Sequence, residues 1–550
     1  MAILSSFIVC FGVFHAINSQ YAYDIFAPNL YTLYFVMAMT VLTCVYDVYF
    51  ENLLVVSVQA NIQRNVKGPC LSYLLLLPAA SLLSVLGDEN KDNATIGYIE
   101  QFTTIVLKVS SISQLHIAVQ DYVYTKGEQS KAWYGAIFAP WAVVTLAHAW
   151  YTVSAIGVLK PLIMYTFTAG MFALHREVLP DISSSFSLAE SIIVCQALTM
   201  YLFKVIAFEL EVLRKWSEVE LFINVAVLSA LLVFALLYFV PVLRTSRNFY
   251  LTNAGVALVS LSALHVLFEQ SCVTWLYSYV CRSDVRTVLF LYWLLLSFIC
   301  VLIVSYIYNS KFTLHCDEVW PRRDAQRWRS LLTNSYKRKR QPVVTVDVKR
   351  DPNVSTNIRK VFHLVAIMTF IPGLKYDVMF TTCAATCACI VYSMIECMRL
   401  LNIEPFGDYL EVYLGSFRDR QDQGLLILTP IYLLAGFTLP LWLHQCVLCN
   451  TLSLNSGVLA LGVGDTFAAI VGSKFGKTKW PQSNRSVEGA LAFIHSTLVA
   501  VVFLCMTAVT QRQTVTNIVL AVCLTAGLES FTSQIDNLVL PIFMYTLLIC

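Results

Sequence analysis

Charged residues are scarce in this chain, where they make up 13% of 550 residues, about half of their share in an average soluble protein. This scarcity argues against a set of ordinary soluble domains. A formal net charge of only +3 gives no reason to expect a nucleic-acid partner. The sequence also lacks Gly/Ser-rich tracts, Gln/Asn-rich tracts and any evident internal repeat, so it is neither a low-complexity chain nor a repeat protein.

A framework of paired cysteines is also lacking. Most of the 17 cysteines lie inside apolar runs, as Cys383 and Cys387 do, which is typical of buried free thiols. Cys446 and Cys449 form a single Cys-x-x-Cys without a second pair. We interpret that pair as packing and not as a metal site.

Apolar residues dominate the chain instead, at 58% with a mean hydropathy of +0.67. A helix needs about 20 apolar residues to cross a bilayer, and only a helix satisfies its own backbone there. We therefore predict an all-α, polytopic integral-membrane helical bundle of roughly 13 to 16 transmembrane helices. Residues 1–18 suit a first membrane helix better than a signal peptide, because no positive charge precedes the hydrophobic stretch. The other predicted spans are 30–49, 70–86, 134–159, 188–208, 221–243, 251–268, 288–307, 361–374, 378–398, 425–449, 452–471, 487–510, 515–528 and 538–550.

One long polar segment interrupts these spans, at residues 311–360, and includes the basic run Lys-Arg-Lys-Arg at 337–340. The positive-inside rule predicts that this segment is a cytosolic loop. We predict three parts: an N-terminal multi-span membrane region (1–310), the basic cytosolic loop (311–360) and a C-terminal catalytic membrane domain (361–550). Four spans between residues 360 and 471 return the chain to the same side, so residues 472–488 are also predicted to be cytosolic.

A carboxylate lies near the end of one predicted span. Gly464, Ala468 and Gly472 recur at every fourth position, a stripe that favours close helix packing. The stripe does not account for Asp465, because a carboxylate near membrane depth is costly and usually marks an ion or substrate site. Asp465 is therefore a candidate catalytic and metal-binding residue.

The loop that follows is rich in glycine and lysine and reads Gly-Ser-Lys-Phe-Gly-Lys-Thr-Lys-Trp from Gly472. The glycines would let a ligand approach the backbone, and Lys474, Lys477 and Lys479 offer positive charge to phosphate. The loop is not a Walker A motif, because its glycines are one residue too close and a membrane helix precedes it. We predict a cytosolic phosphate-binding loop of another kind.

The next span opens with Arg485-Ser-Val-Glu-Gly. A helix N-terminus that follows a cation is a natural anion site, although Glu488 could instead cap the helix. A second weak cationic pattern is formed by Arg359, Lys360 and His363, whose spacing lets all three face one way. That pattern suits either phosphate contact or an ordinary membrane anchor.

Further carboxylates occur near the C-terminus. Glu529, Ser533 and Asp536 fall at i, i+4 and i+7, which predicts two carboxylates and a hydroxyl on one helix face. Because Mg²⁺ binds carboxylate oxygens together with substrate phosphates, Asp465 and Asp536 are the predicted metal ligands.

In their order and spacing, the segments 461–481, 485–489 and 534–541 resemble the dolichol kinase family, and so do 359–363 and 424–443. The resemblance is strong from about residue 358 onward, whereas the first 310 residues match only as a hydrophobic multi-span region. It implies phosphoryl transfer from CTP to the hydroxyl of dolichol. The dolichyl phosphate would be made in the endoplasmic reticulum membrane for protein glycosylation, at a nucleotide site facing the cytosol.

Together with the residue patterns, the resemblance suggests a hypothesis for the roles of the site residues. Asp465, Lys477, Arg485 and Asp536 would be catalytic, with a divalent cation, Mg²⁺ or Ca²⁺, held by Asp465 and Asp536. Dolichol, membrane lipid and CTP are the expected partners, and the oligomeric state stays open. The residues expected to bind CTP are Gly464, Thr466, Gly472, Ser473, Lys474, Phe475, Gly476, Thr478, Lys479, Trp480, Ser486, Glu488, Gly489, Arg359, Lys360 and His363.

Two other functions remain open at this point. CTP-dependent lipid cytidylyltransferases share an Asp, a Gly-Lys loop and a Lys-Thr-x-Glu-Gly-like element, but they also carry a later element with two aspartates. Here Asp536 is followed by Asn537 and apolar residues, which favours a kinase. A transporter would use Asp465 and Glu529 as ion sites and would turn over no nucleotide.

Overall fold

A computed structural model describes residues 2–21, 73, 75–86, 102–106, isolated positions between 163 and 174, 185–210, 217–312, 356–415, 424–443, 451–481, 483–507, 514–532 and 535–549. The predicted spans at 30–49 and 134–159 lie outside these residues. Residues 313–355, which form most of the predicted basic loop, lie outside them as well.

The described elements are helices, as the composition predicts. In chain order they are α1 (Ala2–Tyr21), α2 (Leu76–Leu86), α3 (Leu188–Leu210), α4 (Glu218–Phe239), a 3-10 turn (Pro241–Arg244), α5 (Ser246–Phe268), α6 (Cys272–Cys281), α7 (Asp284–Phe312), α8 (Thr356–Tyr376), α9 (Val378–Leu400), α10 (Gly407–Gly415), α11 (Thr429–Leu443), α12 (Thr451–Leu454), a π-helical segment (Val458–Asp465), α13 (Thr466–Phe475), α14 (Val487–Thr507), α15 (Val515–Phe531) and α16 (Asp536–Leu548). The only β pairing among the described residues is an isolated antiparallel bridge between Lys479 and Ser486.

By length and composition, 6 helices of the described part could each cross a membrane. They are α4, α5, α7, α9, the π-helical segment together with α13, and α14. For the part of the chain that the structure describes, a helical fold with several candidate membrane spans is therefore confirmed. The total of roughly 13 to 16 spans stays a prediction.

The chain divides into two compact units, Met1–Arg214 with Arg420–Cys550, and Lys215–Asp419. The first unit is built around α16. This helix is buried from Asn537 to Leu548, and α1, α2, α11, α12, α15 and the π-helical segment pack against it. Helices from the two ends of the sequence therefore share one core, and that core carries Asp536 at the start of α16.

The second unit contains α4 to α10, which pack mainly against their neighbours in sequence. Large apolar side chains on α5 and α7 are exposed, among them Leu258, Val259 and Leu291, as expected for helices that meet lipid.

A buried ion cluster joins α9 to α10 in this second unit. Arg399 contacts both carboxylate oxygens of Glu396, at 2.7 and 2.8 Å, and it also pairs with Glu411. The arginine and Glu396 are each 3% exposed, whereas Glu411 is 54% exposed. The buried charges of Arg399 and Glu396 are therefore neutralised by direct pairing.

Candidate functional site

Asp465 ends the π-helical segment, and α13 follows it directly. The Asp465 side chain is only 6% exposed. The wider turn lets the hydroxyl of Thr466 donate to the carbonyl of Leu461, five residues earlier, at 3.3 Å. Because π-helical turns are rare and often mark functional positions, the local backbone supports a special role for this carboxylate.

The small-residue stripe faces α14. A Cβ added to Gly464 would lie 2.5 Å from the ring of Phe493, which is fully buried on α14. Farther along the stripe, a Cβ on Gly489 would lie 3.4 Å from the Cα of Gly472 and 3.0 Å from the carbonyl oxygen of Ala468. The predicted close packing is confirmed, and it fixes the position of Asp465 relative to the start of α14.

The glycine- and lysine-rich loop folds back on the start of α14 as a short hairpin. The amide of Trp480 donates to the carbonyl of Arg485 at 3.0 Å, and the amide of Val487 donates to the carbonyl of Thr478 at 2.9 Å. Ser486 is buried and caps α14, because its hydroxyl accepts a hydrogen bond from the amide of Gly489 at 3.1 Å. The hairpin thus holds Arg485 next to the helix N-terminus.

Glu488 holds the loop from the other side. Its carboxylate accepts hydrogen bonds from the amides of Lys477, at 3.2 Å, and Thr478, at 2.9 and 3.2 Å. These two amides are therefore already used within the chain. Phosphate binding at this loop would depend on other groups, and Glu488 acts on the loop backbone in this structure.

The remaining predicted loop residues are directed largely to solvent. Lys474, Lys477 and Lys479 are exposed, as are Ser473 and Thr478. The Phe475 side chain is 65% exposed. Trp480 is half-buried and packs edge-on against Phe531 of α15, with ring centroids 5.1 Å apart. The loop therefore presents positive charges to solvent on a backbone that is held by hydrogen bonds.

Arg485 lies between two carboxylates. Its Nη1 is 2.9 Å from Oε1 of Glu529, and its Nη2 is 3.2 Å from Oδ2 of Asp536. Burial by itself disfavours the charged guanidinium, but Glu529, Asp536 and Asp465 favour it more strongly, so the pKa of Arg485 lies above its ordinary value. The predicted residues Asp465, Arg485 and Asp536 thus share one electrostatic neighbourhood.

The prediction that Glu529 and Asp536 share one helix face is wrong. Helix α15 ends at Phe531, Thr532 has an extended backbone, and α16 begins at Asp536. The two carboxylates come instead from the end of one helix and the start of the next, and they meet at the same arginine. At the first position of α16, Asp536 also has the charge that a helix N-terminus favours.

Two contributors were missed as site residues. The sequence indicates Glu529 only as part of a carboxylate face and as an ion site of a transporter, whereas its pairing with Arg485 depends on the break between α15 and α16. Tyr73 lies within electrostatic range of Arg485, and its hydroxyl is 2.9 Å from that of Thr532. Nothing in the sequence around Tyr73 distinguishes it from other aromatic residues in predicted spans.

The carboxylates suit a divalent cation that is shared with a ligand. Among the described residues there is no group of three or more His, Cys, Asp or Glu side chains arranged to hold a metal ion. Mg²⁺ does not need such a group, since one or two carboxylates suffice when phosphates supply further oxygens. Asp465 and the 25% exposed Asp536 fit that chemistry.

The second cationic pattern belongs to the other compact unit. Arg359 and Lys360 lie in the first turns of α8, one turn before His363, whose side chain is buried. The spacing predicted for one helix face is therefore present in the backbone. Their contact with phosphate stays a prediction.

Comparisons with known proteins agree on one family. A family model described as dolichol kinase matches residues 339–482, a stretch that includes Asp465 and the glycine- and lysine-rich loop. A dolichol kinase from Homo sapiens is 28% identical over 86% of this chain and 85% of its own length. A dolichol kinase from Arabidopsis thaliana is 32% identical over 38% of each chain, and one from Schizosaccharomyces pombe is 33% identical over 34% of this chain and 38% of its own.

No solved structure matches the chain. The similarity to the human protein nevertheless extends over most of both sequences, and the stretch matched by the family model includes the buried aspartate and most of the loop described above. The chain is therefore similar to dolichol kinases over most of its length.

Proposed function

We propose that this protein phosphorylates the terminal hydroxyl of dolichol, with CTP as the phosphoryl donor and a divalent cation at Asp465 and Asp536. The observation that carries the proposal is the grouping around Arg485. Asp465 is buried at the end of a helix, and Arg485 pairs with two carboxylates. The lysine-rich hairpin lies between these two residues in the chain. This combination suits a phosphate-bearing ligand that reacts next to lipid.

In the proposed reaction the hydroxyl oxygen of dolichol attacks the γ-phosphorus of CTP. The bond from that phosphorus to the bridging oxygen of the β-phosphate breaks, and CDP leaves. The hydroxyl proton must go to a base, and we propose Asp465 for that role if it does not bind the cation. Lys474, Lys477 and Arg485 would balance the negative charge of the transferred group.

The cation, when bound, would neutralise phosphate charge and orient the donor. The chain itself would do the positioning. Ser486 fixes the start of α14, Glu488 fixes the loop backbone, and the hairpin holds Arg485 beside both. Most of the rate would then come from orientation and electrostatic stabilisation, as in other phosphoryl transfers.

The membrane setting follows from the substrate. A long isoprenoid would lie among the helices, while its hydroxyl reaches the polar end that carries the loop. We place this end on the cytosolic face of the endoplasmic reticulum membrane, within a bundle of roughly 13 to 16 spans. The product, dolichyl phosphate, would serve protein glycosylation. We retain residues 361–550 as the catalytic part and 1–310 as the multi-span N-terminal region.

The test is a donor and cation panel with purified protein in detergent. Dolichol is incubated with CTP or ATP, each with Mg²⁺, Ca²⁺ or a chelator, and dolichyl phosphate is measured. The proposal requires product with CTP and a divalent cation, and at least a hundredfold loss for Asp465→Asn. Equal turnover with ATP would overturn the donor assignment, and near-normal turnover of Asp465→Asn would remove both roles given to that residue.

A further inference from the structure

One side chain from the N-terminal region reaches the neighbourhood of Arg485. Tyr73 lies just before α2, a helix that packs on α16, and it is 1% exposed. It lies within electrostatic range of Arg485, and its hydroxyl oxygen is 2.9 Å from Oγ1 of Thr532, 459 residues later in the chain. A residue far from the predicted catalytic part is therefore built into the surroundings of the candidate site.

Thr532 lies between the two carboxylates that meet Arg485. It is the first residue after α15, its backbone is extended, and its amide donates to the carbonyl of Leu528 at 2.8 Å. Glu529 lies three residues before it, and Asp536 lies four residues after it, at the start of α16. The path of the chain at this junction therefore determines where both carboxylates stand relative to Arg485.

The hairpin before α14 contacts the same junction. The hydroxyl of Ser483 donates to the carbonyl of Ser530 at 3.3 Å, and the Trp480 ring packs edge-on against Phe531, with ring centroids 5.1 Å apart. The N-terminal region adds its contact one residue later, through Tyr73. Two separate parts of the chain therefore hold the end of α15.

The hydroxyl of Tyr73 is the part of the side chain that packing alone does not explain. A phenyl ring would fill the same buried space, whereas a buried hydroxyl lowers stability unless it forms a hydrogen bond. Buried tyrosines usually place this polar tip against a partner, and here Oγ1 of Thr532 lies at hydrogen-bond distance. The hydrogen bond therefore links the segment before α2 directly to the junction of α15 and α16.

We infer that Tyr73 is a positioning residue that holds the junction of α15 and α16, and with it both carboxylates, in place at Arg485. The catalytic consequence rests on the proposed function, whereas the contact with the junction does not. A displacement of about 1 Å at a reacting centre can lower the rate on the order of a hundredfold. Loss of the hydroxyl should cause a smaller displacement, because the ring and the contacts of the hairpin remain. It should therefore lower kcat with little change in the KM for dolichol.

The experiment compares Tyr73→Phe, which removes one oxygen atom, with Tyr292→Phe. The control lies in the other unit, where the hydroxyl of Tyr292 donates to the carbonyl of Met368 at 2.9 Å. Hydrogen–deuterium exchange of the amides at 528–540 is measured in each purified protein without nucleotide. The kcat and the KM for dolichol phosphorylation are measured separately. Thr532→Val and Thr532→Ser, alone and combined with Tyr73→Phe, test the partner hydroxyl.

We expect Tyr73→Phe to speed exchange at 528–540 by about fivefold, the order of one lost hydrogen bond, and to lower kcat by about tenfold. The KM for dolichol should stay within about twofold, and Tyr292→Phe should match the wild type in both measurements. Thr532→Val should resemble Tyr73→Phe, and the double variant should lose little more than either single variant, since both remove the same hydrogen bond. Thr532→Ser keeps the hydroxyl, so it should retain more activity than Thr532→Val.

The outcomes separate this inference from the proposed function. If the wild type does not phosphorylate dolichol with CTP, the proposed function fails, and the exchange measurement still tests the contact. Unchanged exchange in Tyr73→Phe overturns the positioning role even if kcat falls, and faster exchange with an unchanged kcat overturns it as well. Should Tyr73→Phe fail to fold, Thr532→Val decides the question, because unchanged exchange or an unchanged kcat in that variant also overturns the role.

Discussion

A methyl group added at Gly464 should displace Asp465 and reduce activity. The new Cβ would lie 2.5 Å from two ring atoms of Phe493, where ordinary contacts begin at 3.4 Å. Phe493 is fully buried on α14, so its ring cannot turn outward into free space. The π-helical segment and α14 must therefore move apart by about 1 Å, or the ring must leave its preferred rotamer.

Both responses carry a cost that can be estimated. Overpacking of this kind costs about 1–3 kcal/mol of stability. A displacement of about 1 Å at a catalytic group can lower the rate on the order of a hundredfold. We therefore expect Gly464→Ala to fold with a lowered midpoint of thermal unfolding and to retain about 1–10% of the wild-type kcat.

The assay is a double-mutant cycle with Phe493→Leu. Leucine lacks the ring atoms that meet the new methyl, so the double variant should recover a coupling energy of about 1–2 kcal/mol in stability, together with most of the lost kcat. Gly255→Ala is the matched control, because an added Cβ there meets nothing within 4 Å, and it should be neutral or slightly stabilising. Wild-type activity of Gly464→Ala, or strictly additive effects in the cycle, would refute the packing argument.

Three further substitutions test the neighbourhood of Arg485. Arg485→Lys should lower kcat/KM for CTP by about 10- to 100-fold, because one ammonium cannot replace two separate N–H contacts. Steady-state kinetics measures this change, and a decrease of less than about twofold would contradict the prediction. Ser486→Ala removes a buried helix cap, so thermal or urea unfolding should show a loss of about 1 kcal/mol, and no loss would argue against the cap. Glu488→Ala removes the hydrogen bonds to the amides of Lys477 and Thr478. Proteolysis should then cleave the loop faster, and the KM for CTP should rise. Unchanged cleavage would mean that other contacts hold the loop.

Several features of the site could be predicted because they depend on local sequence. The cost of a carboxylate in an apolar helix singled out Asp465, and that residue is buried at the end of a π-helical segment. The spacing of Gly464 and Gly472 predicted close helix packing, and α14 lies against both. These patterns need only the period of a helix and the chemistry of the bilayer.

Other features depend on where separate helices end and meet. The seven-residue spacing of Glu529 and Asp536 predicts a continuous helix, but the backbone is extended at Thr532 and Ile535. The ion pairs of Arg485 follow from that break, and no spacing rule contains it. Likewise, Glu488 reaches the loop amides only because a hairpin brings it next to Thr478, ten residues earlier in the chain. The composition of the segment does not reveal this hairpin.

The contacts of the N-terminal helices with α16 could not be predicted from the sequence either. The sequence identified α1 and the segment around α2 only as apolar spans, yet both pack on α16, which begins at Asp536. Contacts between the two ends of a chain leave no signal in either end alone. Tyr73, just before α2, entered the surroundings of Arg485 in this way.

The central claim is that the γ-phosphoryl group of CTP moves to the hydroxyl of dolichol. The most direct measurement uses CTP labelled at either the α- or the γ-phosphorus with purified protein, dolichol and Mg²⁺, followed by separation of lipid and nucleotide products. A kinase places the γ-label in dolichyl phosphate and releases CDP. Appearance of the α-label in a lipid together with pyrophosphate, or no turnover of CTP at all, would contradict it.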